Sequence, residues 1–179
     1  GRDMVRSGVL RAFRCHSPQA GEHLLEEANR AAQQARTPYL LFLSSAVLLA
    51  PGSLPPLQSR LDEEPGLAGV NPLFLYDRGA FNPSAGYGPP ACHLPAQRAR
   101  IAHMGCVADY LGQLHYLYEG LPLGHALAGK RRRFQVGHAG ALLLRREDFL
   151  TAGGFNAALD SLAHMDLCLK LAAPDSNNP

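Results

Sequence analysis

The feature that most constrains this chain is the run Tyr39-Leu40-Leu41-Phe42-Leu43-Ser44-Ser45-Ala46-Val47-Leu48-Leu49, bounded by Pro38 and by Pro51-Gly52. Its first five residues are apolar with no helical period. A strand that reads this way sheds its polar side chains because both faces of its sheet are covered, as in the parallel sheets of α/β proteins. The run therefore predicts a fully buried parallel strand. In open α/β sheets the ligand crevice lies beyond the C-terminal ends of such strands, which directs attention to Ser44-Ser45-Ala46.

The rest of the chain fits an α/β rhythm. Glu22 to Ala35 carries an apolar stripe of Leu24, Leu25, Ala28, Ala31, Ala32 and Ala35 and predicts a helix before the apolar strand. Pro51-Gly52-Ser53 opens a second short helix, with Leu54, Leu57 and Leu61, running to about Asp62. Leu67–Val70 and Leu73–Tyr76 predict short strands, and Gly8–Arg14 another. Residues 77–99 are rich in glycine and proline and predict a long irregular loop. Arg100–Tyr110 reads as a strand, residues 115–133 as irregular chain, Phe134–Leu144 as a strand, and Arg145–Leu150 as a short helix. Thr151–Phe155 predicts a tight turn with one glycine at positive φ, followed by a last helix from His164 to Ala172 and a polar tail. The 179 residues suffice for one domain with its own core.

Composition narrows the function classes. A net charge of +2 is too small to argue for nucleic acid or a membrane surface, and no nucleic-acid partner is expected. The one concentrated charge, Lys130-Arg131-Arg132-Arg133, has no interleaved aromatics and reads as a solvated loop. The longest apolar runs fall short of the roughly 18 residues of a spanning helix, and residues 1–20 do not read as a secretory leader. The four cysteines, Cys15, Cys92, Cys106 and Cys168, lack metal-ligand spacing and are expected as free thiols in a reducing compartment.

Local motifs for common chemistries are missing. His93, His103, His115, His125 and His138 make no HxxxH or HExxH pattern on a predicted helix, and read as scattered rather than as a metal cluster. The chain has no Gly-x-Ser-x-Gly elbow, Walker loop or dinucleotide glycine fingerprint. Taken singly, Asp166 reads as a solvated helical carboxylate.

Several segments nevertheless fall in the order of one family. Glu27-Ala28-Asn29-Arg30-Ala31 is similar to an A-x-N-x-(A/G) helix, Tyr39–Leu43 to the strand leading into N-x-D, and Pro51-Gly52-Ser53-Leu54 to the helix start behind it. Ile101-Ala102-His103-Met104-Gly105 is similar to I-x-H-x-G, and His115-Tyr116 with Gly120-Leu121-Pro122 to the loop after it. Phe134-Gln135 with Ala141–Phe149 is similar to a strand ending in Arg-Arg, Gly153-Gly154-Phe155-Asn156 to G-G-F-d/n, and Asp166-Leu167-Cys168-Leu169-Lys170 to the helix e-D-v-D-L-c-l-R. Over residues 20–171 the chain resembles the family 2 inverting glycosyltransferases of GT-A fold, of the bacterial type that decorates polysaccharides or proteins.

The resemblance implies a GT-A-like mixed sheet flanked by helices, incomplete at its N-terminal nucleotide-binding half. It implies transfer of a sugar, with inversion, from a nucleotide-diphosphate donor to a glycan or protein acceptor hydroxyl, in the cytoplasm or at the periphery of the inner membrane. By position it assigns catalysis to His164 and Asp166, acceptor binding to His103, Gly153, Gly154 and Phe155, and donor binding to Asn29 and Ser44. The family uses a divalent metal, magnesium or manganese, held by a D-x-D-type pair. Here that position falls on Ser44-Ser45-Ala46, so no metal ligand is assigned. The base position falls on His164, preceded by Ala163 rather than an acid. These departures leave an alternative: a non-catalytic domain of the same ancestry that binds a glycan or partner protein.

Overall fold

The computed structural model describes residues 24–44, 47–76, 99–125, 133–138 and 140–172. The expected strand at Gly8–Arg14, most of the glycine- and proline-rich loop, His93 and the tail lie outside them. The chain is a mixture of helices and small antiparallel sheets, α/β in general character. It divides into two compact units, residues 1–70 with 139–179, and residues 71–138.

In the first unit, helix α1 (Leu24–Gln34) precedes strand β1 (Tyr39–Leu43), then helix α2 (Leu54–Glu63) and the short strand β2 (Gly69–Val70). The chain returns as β7 (Ala141–Arg145), helix α3 (Arg146–Thr151), a 3₁₀ segment (Ala157–Leu162) and helix α4 (Ala163–Ala172). The sheet order is β1-β7-β2, and both pairings are antiparallel. The expectation of a fully buried parallel strand at Tyr39–Leu43 is thus corrected. β1 pairs antiparallel with β7, from Tyr39 opposite Arg145 to Leu43 opposite Ala141, and all five of its residues are only partly buried. The buried strand is the central one: Ala141, Leu142, Leu143 and Leu144 are all out of solvent. An apolar run reports cover on two faces and carries no information on partner direction. The strand also ends at Leu43, and Leu48 further along the run is 80% exposed.

The core of this unit is aromatic at its centre. Phe42 of β1, Phe149 of α3 and Phe155 meet with ring centroids 4.8–5.3 Å apart. Edge and tilted contacts of this kind suit the ring quadrupoles. Leu54 and Leu61 bury one face of α2, and Ala163, Leu167 and Cys168 bury one face of α4.

Two arginines tie helix ends to the sheet. α1 has no basic residue in its last turn, and Arg146 supplies one from a distance, donating from Nε to the Ala32 carbonyl at 3.1 Å and from Nη2 to the Gln33 carbonyl at 2.9 Å. Arg145 spreads its fork over the end of α2, donating to the carbonyls of Leu61 and Leu67, to Glu64 at 3.2 Å and to Pro65 at 3.3 Å. Orphan carbonyls at helix C-termini favour a cation by both hydrogen bonding and dipole.

The second unit holds two two-stranded sheets. β3 (Phe74–Leu75) pairs antiparallel with β4 (Ile101–His103), and β5 (Cys106–Ala108) with β6 (Leu114–Tyr116). The single strand expected over Arg100–Tyr110 is broken between Met104 and Gly105. Gly105 adopts φ +143°, and the Phe134 ring fills the space a Cβ would need, 2.3 Å from its ideal position. Of the strand expected from Phe134, only Ala141 onward belongs to β7. Val136 instead bridges Cys106, and both are fully buried. Among the described residues no helix is long and apolar enough to cross a membrane.

Candidate functional site

Asn29, Gly153, Gly154 and Phe155 meet at the turn after α3. That turn closes the helix with two hydrogen bonds: the Gly154 N–H reaches the Phe149 carbonyl and the Gly153 N–H the Leu150 carbonyl, each at 3.0 Å. This is the paired closure of a Schellman motif. Both glycines, not one, take positive φ, +79° at Gly153 and +72° at Gly154. Around Gly153 nothing stands within 4 Å of an added Cβ, whereas at Gly154 it would meet Asn29 Oδ1 at 2.5 Å.

Asn29 explains that crowding. Its Nδ2 donates to the Phe155 carbonyl and its Oδ1 accepts from the Phe155 N–H, both at 2.8 Å. The carboxamide therefore pairs with one backbone residue as a neighbouring strand would. A cavity of about 90 Å³ lies beside this contact, lined by Asn29, Gln33, Phe149, Leu150, Gly153 and Gly154. The resemblance assigned Asn29 to the donor and Gly153, Gly154 and Phe155 to the acceptor. The structure brings all four together and engages both polar atoms of Asn29 with protein backbone.

Ser44 follows β1 and is exposed. Its N–H reaches the Gly140 carbonyl at 2.9 Å, and its own carbonyl accepts from the Val47 N–H at 3.1 Å. Ser45 and Ala46 lie outside the described residues. A hard divalent cation requires several oxygen ligands, preferably carboxylates. Alanine at position 46 supplies no side-chain donor, and among the described residues no three His, Cys, Asp or Glu side chains converge. The residues present do not fit the metal of the family.

His164 and Asp166 occupy the first turn of α4, both partly buried. Asp166 Oδ2 is met by the Lys170 ammonium at 2.7 Å, an i,i+4 ion pair, and no other hydrogen bond reaches this solvent-shielded oxygen. This pair explains Asp166 as a helix-surface charge without recourse to catalysis.

His103 belongs to the second unit. It is 6% exposed and stacks on Phe74 with centroids 4.3 Å apart. The His138 ring lies 3.8 Å away and that of Tyr116 5.4 Å away. Burial, followed by the neighbouring His138, pushes the His103 pKa down to about 4. Its Nδ1 is buried without a hydrogen-bond partner. Two histidines that read as scattered are thus packed together across 35 positions, a convergence invisible to any spacing rule.

His115 is held differently. It bonds Asp109 at 2.9 Å, and this contact is the first cause of the lowered Asp109 pKa, ahead of the Gln113 N–H. Asp109 Oδ1 also accepts from the N–H groups of Leu111 and Gln113, each at 2.9 Å, which sets the turn between β5 and β6. Glu119 accepts a hydrogen bond from the Tyr76 hydroxyl and raises its pKa to about 12.

Sequence reasoning missed the arginine wall. Arg36, Arg145 and Arg146 line an open cavity of about 440 Å³ with Thr37, Tyr39 and Glu147, at the N-terminal end of β1. The Arg145-Arg146 pair at a strand–helix junction was the available signal. No protein-family model, curated protein or solved structure matches this chain.

Proposed function

We propose that the chain is the acceptor-side part of an inverting, nucleotide-sugar-dependent glycosyltransferase with a GT-A-like mixed sheet. The observation that carries this reading is the contact between Asn29 and Phe155. It joins two segments with family resemblance, the A-x-N-x-A helix and the G-G-F turn, that lie 126 residues apart in sequence. The in-register pairing of β1 with β7, two further segments of that kind, supports it in the same way.

In this reading His164 takes the proton of an acceptor hydroxyl. The oxygen attacks the anomeric carbon of the donor from the face opposite the nucleoside diphosphate, which leaves with the electrons of the broken glycosidic bond. A neutral imidazole suits this proton transfer near neutral pH. Gly153, Gly154 and Phe155 shape the acceptor side, and Asn29 positions that turn.

The test uses the natural protein that contains this chain, screened with nucleotide-diphosphate sugars for donor hydrolysis and transfer. Turnover should fall by about 10²-fold or more in His164→Ala. A folded protein that turns over none of them would refute the reading. A second reading is favoured by Ala46 and by the Asp166–Lys170 pair: a non-catalytic domain that holds a glycan or partner protein. Calorimetric binding of a glycan without nucleotide, in a protein inert to donors, would select it.

A further inference from the structure

We propose that the cavity at the N-terminal end of β1 binds a small phosphomonoester. The inference does not depend on the transferase reading. Tyr39 stands five residues before Ser44, so the cavity is roughly 16 Å along the strand from the end to which that reading points.

The cavity measures about 440 Å³, and its charged lining is three arginines and one glutamate, Arg36, Arg145, Arg146 and Glu147. The Arg146 N–H bonds the Pro38 carbonyl at 2.8 Å and closes one wall. Arg146 and most of Arg145 are hydrogen-bonded to carbonyls. A carbonyl satisfies a donor but does not cancel its charge. Among the described residues the one ion pair either guanidinium makes is that of Arg145 with Asp148, at 3.5 Å. Among the described residues, Arg36 and Glu147 make no ion pair at all. The wall therefore carries a net positive charge, three guanidinium groups against the carboxylates of Glu147 and Asp148.

The structural role of these groups is uneven. Arg145 and Arg146 hold helix ends. Arg36 holds nothing among the described residues, yet it lines the same cavity and is exposed. Guanidinium forks match phosphate oxygens in geometry, and several of them together suit a dianion better than a single carboxylate. The volume leaves room beyond a phosphate for an organic part. Glu147 offers an acceptor for a hydroxyl on that part. The Tyr39 hydroxyl is already engaged with Asp62, and the Thr37 hydroxyl donates to the Tyr39 carbonyl at 2.9 Å.

The test titrates inorganic phosphate and glycerol 3-phosphate into the whole chain, with chloride at matched ionic strength as the control, and follows thermal unfolding. Ligands that bind only the native state raise Tm saturably. Both probes should do so, glycerol 3-phosphate at lower concentration. Arg36→Glu should weaken both at least tenfold, read as the ligand-induced rise above the variant's own Tm in chloride. Glu147→Ala should remove the preference for glycerol 3-phosphate. An equal response in Arg36→Glu, or no saturable response to either probe, overturns the proposal. Co-sedimentation with phosphatidic acid vesicles, without any response to glycerol 3-phosphate, would overturn the small-molecule assignment and point to a lipid headgroup.

Discussion

Asn29 and Phe155 form a two-bond pair in which a side chain plays the part of a β-strand neighbour, with both bonds at 2.8 Å. The pair fixes α1 against the turn after α3. It also places the Phe155 ring on Phe42 and Phe149, so one carboxamide links a helix, a turn and the aromatic core.

Replacing Asn29 tests that link. Asn29→Ala leaves the Phe155 N–H and carbonyl part-buried without partners, and stability should fall by about 2–3 kcal/mol. Asn29→Asp keeps the acceptor but sets a carboxylate against the Phe155 carbonyl, and should cost at least as much at neutral pH. Urea denaturation measures both. A loss under about 0.5 kcal/mol in Asn29→Ala, the range of an ordinary surface substitution, would remove the pair from any structural role.

The two glycines of the turn should respond unequally. At Gly153 an alanine meets only the backbone penalty of φ +79°, about 1 kcal/mol. At Gly154 it meets that penalty and Asn29 Oδ1 at 2.5 Å, and should cost about 2–3 kcal/mol. The excess should shrink when Gly154→Ala is combined with Asn29→Ala, because the clash partner is gone. A double-mutant cycle with no coupling between these positions would contradict the geometry.

The sequence patterns located α1, α2 and α4 to within a residue or two, because apolar spacing and proline or serine starts are local signals. The turn at Gly153-Gly154 was marked by glycine itself, whereas the break at Gly105 was read through as one strand. Strand direction was not legible at Tyr39–Leu43, where a run of apolar residues looks alike in an edge and a central strand. The central strand hid at Ala141–Leu144, behind small residues that blurred its start. Arg145 bonds carbonyls up to 84 residues away, and His103 meets His138 through a fold that no local spacing encodes. For the same reason Asn29, placed by resemblance at a donor, was found engaged with Phe155.

The buried His103 gives a pH dependence of defined sign. Its pKa lies near 4 in the fold, mainly through burial, against 6.5 in the unfolded chain. Between these values the unfolded state binds more protons, so stability falls as pH drops from about 6.5 to about 4 and levels off below. Asp109, whose pKa is lowered by His115, adds a loss at still lower pH, below its ordinary 3.8. In His103→Phe, which keeps an aromatic ring against Phe74, the loss between pH 7 and 4.5 should be clearly smaller. Urea midpoints at the two pH values decide it, and an unchanged difference would clear His103 of the effect.

Arg145 should prove far more sensitive than its charge suggests. Lysine at this position retains the cation but cannot reach the carbonyls of Leu61, Glu64, Pro65 and Leu67 at once. Arg145→Lys should therefore cost about 1–3 kcal/mol, the range for buried acceptors left unmet. Arg60 supplies the contrast, since among the described residues its one ion pair is with Glu64, the residue that follows α2. Arg60→Lys should cost less than about 1 kcal/mol, as surface ion pairs do. Salt separates the two further: 1 M sodium chloride screens the Arg60 contribution and leaves most of the Arg145 loss in place. Equal losses in the two variants would mean that Arg145 acts only as a charge and that the end of α2 is held by something else.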